Sequence, residues 1–133
     1  MINNTQYPNR ADAILLTKVE LELMKHLWEI GEGTVKDVIA ALPDDRKLAY
    51  TSVSTILRIL EKKGVLQSRK HGRAHIYTPA IERAHYETNS LINYVKTVFD
   101  DTPAMLVKRL LDIDSLSNND IQEIKKILSE KGL

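Results

Sequence analysis

The chain has 133 residues, of which 43% are hydrophobic and 28% are charged. Its 19 lysines and arginines nearly balance its 18 aspartates and glutamates, so the net charge of +1 indicates no particular partner. The absence of cysteine excludes disulfides, thiol catalysis and thiolate metal sites. No segment has the length of a transmembrane helix, and we expect a cytoplasmic protein without membrane contact. Residues 1–13 are polar, lack the apolar run of a signal peptide, and are expected to form a flexible N-terminal arm.

Two capping boxes predict the first two helices. Thr17 with Glu20, and Thr34 with Asp37, have the spacing at which a threonine hydroxyl accepts from the backbone three residues later while the acidic side chain accepts in return. Apolar residues at helical spacing follow both pairs. The first helix is predicted from Lys18 to about Ile30, where a glycine ends it, and a proline closes the second.

A third helix, predicted before Gly64, has two chemically opposite faces. Its apolar stripe consists of Val53, Ile56, Leu57 and Leu60. Its other face carries Thr51, Ser54, Thr55, Arg58 and Lys62. Short hydroxyls and long cations are side chains that reach phosphates and base edges from a helix in a major groove, so this pattern predicts a DNA recognition helix. An ordinary amphipathic surface helix is the alternative.

A short hairpin is predicted directly after this helix. Val65–Lys70 has the pattern of a strand, His71-Gly72 of a tight turn, and Arg73–Thr78 of a returning strand. Three helices followed by a hairpin with a basic tip are the outline of a winged helix. We expect the wing to lie along a phosphate backbone.

The charge distribution agrees with this arrangement. Between Arg46 and Tyr77 there are eight basic residues and one acidic residue, a local net charge of +7. From Ile81 to the end, seven basic and nine acidic residues give −2. A basic segment that coincides with the predicted helix and wing indicates a polyanionic partner.

The C-terminal part has the pattern of three amphipathic helices. They are predicted to begin near Ile81, at Thr102-Pro103 and at Ser117, which has a capping partner in Asp120. Three such helices are a small core for an independent unit, so we expect a second copy to cover their apolar stripes. Packing back onto the winged helix of the same chain is the alternative. The predicted dimerisation residues are Leu91, Val95, Val98, Phe99, Leu106, Leu110, Ile121, Ile124 and Leu128.

Three separated blocks of the sequence resemble the penicillinase-repressor family (BlaI/MecI/CopY). They are Leu16–Trp28, then Tyr50–Val53 with Leu60–Gly64, then Gly72-Arg73 with Ile76–Pro79. The resemblance covers nearly the whole chain after its first dozen residues. It implies a cytoplasmic bacterial repressor, a homodimer whose N-terminal winged helices bind a palindromic double-stranded DNA operator and whose C-terminal helices dimerise.

The same resemblance leaves the inducing signal open. In the β-lactam-responsive relatives an upstream sensor pathway leads to cleavage of an Asn-Phe bond, and the matching position here is Arg109-Leu110. The copper-responsive branch binds metal through paired CxC motifs, and this chain has no cysteine. A sensor or protease therefore remains a possible partner, and the sequence does not distinguish proteolytic from ligand-driven release.

No catalytic residue, metal site or cofactor is predicted. His71 and His75 are four residues apart, but in a hairpin rather than on one helix face, and His26 and His85 stand alone. The hydroxyls of the third helix have no histidine nearby in sequence to act as a base. The expected class is therefore a binding protein and not an enzyme.

The sequence thus predicts a mainly α fold with a small β-hairpin wing. An N-terminal winged helix-turn-helix domain is expected at 14–80 and a C-terminal three-helix dimerisation region at 81–133. The expected base or phosphate contacts are Thr51, Ser52, Ser54, Thr55 and Arg58, and the expected phosphate contacts are Lys62, Lys70 and Arg73. The alternative function is a winged-helix protein-protein docking module that does not bind DNA.

Overall fold

The computed structural model describes residues 14–133, and the arm predicted for residues 1–13 lies outside them. The described chain is mainly helical with one antiparallel hairpin, which confirms the predicted fold class. Its elements are α1 (Lys18–Ile30), α2 (Val35–Ala41), α3 (Tyr50–Lys62), β1 (Leu66–His71), β2 (Ala74–Pro79), α4 (Arg83–Val98), α5 (Pro103–Asp112) and α6 (Asn118–Glu130). It divides into two compact units, the first ending at Leu91 and the second comprising Ile92–Leu133. None of these helices is long and apolar enough to span a membrane.

Both capping boxes predicted in the first unit are present. The Thr17 N–H donates to Glu20 Oε1 at 2.8 Å, and the Glu20 N–H donates to Thr17 Oγ1 at 3.2 Å. The same reciprocal pair joins Thr34 and Asp37, at 2.9 and 3.2 Å. Because each bond links residues only three apart, both helix starts are determined locally.

The hairpin turn lies one residue later than predicted. His71 pairs with Ala74, so the two turn residues are Gly72 and Arg73, and the predicted His71-Gly72 turn is wrong. Gly72 has a φ of 65°, and the first central position of a type II′ turn needs such a positive φ, which glycine adopts without strain. The shift places Arg73 at the tip of the hairpin instead of in the second strand.

The hairpin is attached to the segment before α2. The Gly33 N–H donates to the Tyr77 carbonyl at 3.0 Å, and the Tyr77 N–H donates to the Gly33 carbonyl at 2.8 Å. A Cβ atom at Gly33 would lie 2.9 Å from the Cβ of Asp37, so this close approach requires glycine. The core beneath consists of Leu23, Met24, Leu27, Val35, Val38, Leu42, Val53, Leu57, Leu60, Val65, Leu66 and Tyr77.

The second unit contains the end of α4 together with α5 and α6. Asp100 and Asp101 follow α4 with φ values of 50° and 60°, and they end the helix where the sequence predicts. Ser117 and Asp120 form the predicted capping box of α6, at 2.9 and 3.0 Å. Their hydrogen bonds hold the pKa of Asp120 below its ordinary value. Of the hydrophobic residues in this unit, only Val95 is buried, and it is 7% exposed.

An ion pair between a buried glutamate and a partly exposed lysine ties the end of α3 to α1. Glu20 is only 5% exposed, and its Oε1 accepts a hydrogen bond from Lys63 Nζ at 2.7 Å. Burial alone would raise the pKa of Glu20. The Lys63 ammonium and the Thr17 backbone N–H outweigh that effect and hold the pKa below its ordinary value of 4.5.

We expect Glu20→Gln to lower the free energy of unfolding at pH 7 by about 1.5–3 kcal/mol, because it removes a charged hydrogen-bond acceptor. The folded-state pKa of Glu20 is depressed, so its contribution is complete above the ordinary pKa and is lost as the pH falls through the folded pKa. Urea unfolding from pH 7 down to pH 3 should therefore show the two proteins converging. Glu29→Gln, an exposed glutamate on α1, is the control. A difference that grows toward acid pH would contradict the assignment.

Candidate nucleic-acid interface

The solvent face of α3 carries most of the predicted DNA contacts. Its exposed predicted residues are Thr51, Ser52, Thr55, Arg58 and Lys62. Ser54 is half-buried on the flank toward the hairpin. On the opposite side, Val53, Leu57 and Leu60 have no exposed surface, so packing in the core fixes which side of the helix faces solvent. The outward face therefore presents hydroxyls and cations.

Two cations of the basic segment form ion pairs with glutamates of α1. The Arg46 guanidinium donates to both carboxylate oxygens of Glu22, at 2.9 and 3.0 Å. This contact holds the pKa of Glu22 below its ordinary value and raises that of Arg46. Lys63 is held by Glu20 in the same way. These pairs brace the chain around α3 against α1.

A third cation of the segment is also paired. Arg69 on β1 contacts Glu32, and it donates to the Thr78 hydroxyl at 3.3 Å. The local net charge of +7 counted from the sequence is therefore larger than the unpaired positive charge that the surface presents to a ligand. The cations of the segment that make no ion pair within residues 14–133 are Lys47, Arg58, Lys62, Lys70 and Arg73.

Arg58 lies beside the buried hydroxyl of Tyr77. Tyr77 is 4% exposed. Burial raises the pKa of its phenol and the Glu61 carboxylate raises it further, while the neighbouring Arg58 guanidinium lowers it. The net shift is upward, so the phenol is neutral at physiological pH. Tyr77 thus supplies a neutral hydroxyl near the Arg58 guanidinium, and both residues line one cleft.

A cleft of about 790 Å³ separates α3 from the hairpin, and we call it the wing cleft. The start of α2, the hairpin-facing flank of α3, and β2 with the preceding turn enclose it. Its lining residues are Thr34, Val35, Lys36, Tyr50, Ser54, Arg58, Glu61, Arg73, Ala74, His75 and Tyr77. The cleft thus brings Ser54, Arg58 and Arg73 of the predicted set together, whereas Lys62 and Lys70 lie outside its lining.

Eight of the eleven residues that line the wing cleft are not among the predicted contacts, and three of them, Tyr50, Lys36 and His75, carry exposed side chains with hydrogen-bond donors. Tyr50 is the first residue of α3 and is 53% exposed. Its spacing of four residues from Ser54 and eight from Arg58 places it on the same flank of the helix, a signal that the sequence contains. Lys36 and His75 reach the cleft from α2 and β2. Only the packing of these elements around the Gly33–Tyr77 bridge brings them there.

The exposed tip of the hairpin carries Lys70 and Arg73. Lys70 pairs across the hairpin with His75, and Arg73 occupies the turn. The tip therefore presents two exposed cations to a polyanionic ligand.

Within residues 14–133 no group of three histidine, aspartate or glutamate side chains is arranged to hold a metal ion.

A larger groove of about 1230 Å³ runs along α1 on another part of the first unit. The indole N–H of Trp28 donates to the Ile81 carbonyl at 3.0 Å. Its ring centroid lies 5.8 Å from that of Tyr86, and the Arg83 guanidinium lies 6.0 Å from it. These contacts fix the start of α4 on α1.

Comparison with known proteins decides the family. The sequence profile of the penicillinase repressors matches residues 16–130. The chain belongs to the penicillinase repressor family. It is 30% identical to the penicillinase repressor of Bacillus licheniformis over 115 residues, which make up 86% of this chain and 90% of that protein. It is 43% identical to the transcriptional regulator BlaI of Mycobacterium tuberculosis over 65 residues, which make up 48% of this chain and 47% of that protein.

Solved structures of the repressor BlaI match part of the chain. The solution structure of the DNA binding domain of the repressor BlaI is 32% identical, with a TM-score of 0.49, and the match covers 56% of this chain and 90% of that one. Bacillus licheniformis BlaI, solved as a monomer with the blaP half-operator, is 32% identical with a TM-score of 0.47 and the same coverage. Penicillinase repressors are transcriptional repressors and not enzymes, which confirms the predicted family and the non-enzymatic class.

Proposed function

We propose that this chain is a sequence-specific DNA-binding transcriptional repressor. The observation that carries the proposal is the outward face of α3, where exposed hydroxyls and unpaired cations lie opposite a fully buried apolar side. Relatives described as repressors, one of them solved with a half-operator, support the same function. In this proposal α3 enters the major groove of the operator and the hairpin follows the adjacent phosphate backbone.

The proposed contacts divide by their chemistry. The hydroxyls of α3 and Arg58 contact base edges or phosphates. The other cations contact phosphates, and these contacts position the protein without reading the base sequence. The base or phosphate set is Thr51, Ser52, Ser54, Thr55 and Arg58, and the phosphate set is Lys62, Lys70 and Arg73. The winged-helix domain is proposed at 14–80.

We further propose that the protein acts as a homodimer on a palindromic operator. From residue 91 onward the chain exposes many large apolar side chains. Their exposure to water is unfavourable, and a second copy of the chain would cover them. Those exposed by more than two fifths are Leu91, Tyr94, Val98, Val107, Leu110, Leu111, Ile113, Ile127, Leu128 and Leu133. Of the other predicted dimerisation residues, Phe99, Leu106, Ile121 and Ile124 are half-buried in the single chain, while Val95 is buried within it. The dimerisation region is proposed at 81–133.

Induction is proposed to act through this region. A two-fold protein reads two half-sites together, so an event that weakens or cleaves the dimerisation helices would release DNA without changing any base contact. An upstream sensor or protease is the proposed partner, and the protein would act in the cytoplasm. The family cleavage position corresponds to Arg109-Leu110, so a protease that requires Asn-Phe would not cut here.

The test is the fluorescence anisotropy of the full chain on the duplex upstream of its own gene and on a scrambled duplex, across a salt series. We expect binding to the upstream duplex to be tighter by about a hundredfold or more. Equal affinities with a steep salt dependence would mean that this duplex does not contain the operator, and selection from a random duplex library would then identify it. No retention of any duplex at low salt would overturn the proposal and favour the protein-protein docking module.

We expect Arg58→Ala to weaken operator and scrambled duplexes by the same factor, because Arg58 lines the cleft between α3 and the hairpin, where we expect a phosphate. The slope of log affinity against log salt should fall by about 1. Arg109→Ala removes the same side chain from the exposed surface of α5 and is the control. Instead, a loss of discrimination of about 1–3 kcal/mol would assign Arg58 to a base.

A further inference from the structure

The lining of the wing cleft is rich in cations and hydrogen-bond donors. Three cations from three different elements line it, namely Lys36 of α2, Arg58 of α3 and Arg73 of the hairpin turn. His75 adds a ring N–H donor from β2. Hydroxyl donors on the same lining complete a surface that is rich in donors for an oxyanion.

The one acid in the lining is already engaged. Glu61 Oε2 accepts a hydrogen bond from the Ser68 hydroxyl at 2.6 Å, which occupies one acceptor site of the carboxylate and leaves its charge of −1 in place. None of the three cations forms an ion pair within the described residues. Three cations and one carboxylate give the lining a formal net charge of +2, which attracts an anion.

We infer that the wing cleft binds one phosphate of the DNA backbone in each half-site, with Lys36 and His75 among its ligands. The inference rests on the proposed DNA-binding function. If α3 enters the major groove and the hairpin tip follows the backbone, a sugar-phosphate strand passes between these two elements, where the cleft opens. A phosphodiester fits this position because its two free oxygens accept from several donors at once.

The experiment measures the affinity of the full chain for operator duplexes in which single phosphates are replaced, one at a time, by uncharged methylphosphonates. For the unmodified protein, one replacement in each half-site is expected to cost about threefold or more at low salt, because it removes the cleft contact. Lys36→Gln and His75→Asn should bind unmodified operator more weakly. Both variants should be insensitive to methylphosphonate at that same phosphate.

Lys25→Gln, an exposed lysine on α1 outside the cleft, is the control and should keep the sensitivity of the unmodified protein at every phosphate. Circular dichroism confirms that each variant folds. Variants of Lys36 and His75 that lose as much as the unmodified protein at every modified phosphate would overturn the inference while leaving DNA binding intact. Failure of the unmodified protein to bind any duplex would instead overturn the proposed function on which the inference rests.

Discussion

Replacing Leu110 and Leu128 together by aspartate is expected to lower the affinity for a palindromic operator by about 100-fold or more, because the two winged helices would then bind independently. Both side chains are large, apolar and more than two fifths exposed in the single chain. Burying two carboxylates in an apolar interface without partners is costly, so the variant should be a monomer. Sedimentation measures the oligomeric state, and anisotropy measures the affinity.

A matched control separates lost association from electrostatic repulsion by DNA. Lys108→Asp with Lys125→Asp places two aspartates on the same two helices at exposed polar positions, and it changes the net charge by more than the test variant does. The control should remain a dimer and keep most of its affinity. On a single half-site, the test variant and the unmodified protein should bind equally weakly. A test variant that is a monomer but still binds the palindrome tightly would disprove the role of dimerisation in operator binding.

The elements that the sequence predicts well are those determined by local interactions. The capping boxes at Thr17, Thr34 and Ser117 each involve residues three apart, and all three are present. The hairpin turn was predicted one residue early, because a glycine fits either central position by composition and only the strand register selects one. That register depends on side-chain packing against the core and on the bridge between Gly33 and Tyr77.

The electrostatics of the candidate interface depend on pairs that are distant in sequence. Arg46 and Glu22 are 24 residues apart, Arg69 and Glu32 are 37 apart, and no local pattern relates them. Counting charges along the chain therefore assigns to the interface cations that the fold uses internally. The wing cleft has the same origin, because α2 and the hairpin meet only in the folded protein. Predicting α3 as an amphipathic helix was possible, but predicting which cations remain available was not.

The orientation of α3 depends on its buried side, and a single truncation there tests this. We expect Leu57→Ala to lower the free energy of unfolding by about 2–5 kcal/mol, because Leu57 has no exposed surface and its loss leaves a cavity among packed side chains. Ile59→Ala on the same helix is the control, since Ile59 is 40% exposed and should cost much less. Urea unfolding followed by circular dichroism gives both values.

The DNA affinity of the same two variants tests whether the core acts on function only through stability. At low temperature and low salt, folded Leu57→Ala should bind operator within about threefold of the unmodified protein, because no DNA contact is altered. On warming, its affinity should fall at the temperature where its helical signal falls. Equal destabilisation by Leu57→Ala and Ile59→Ala would show that α3 does not pack on the side described. A large loss of affinity by Leu57→Ala while it is still folded would show that the outward face depends on the exact volume of the core, and not on helix packing alone.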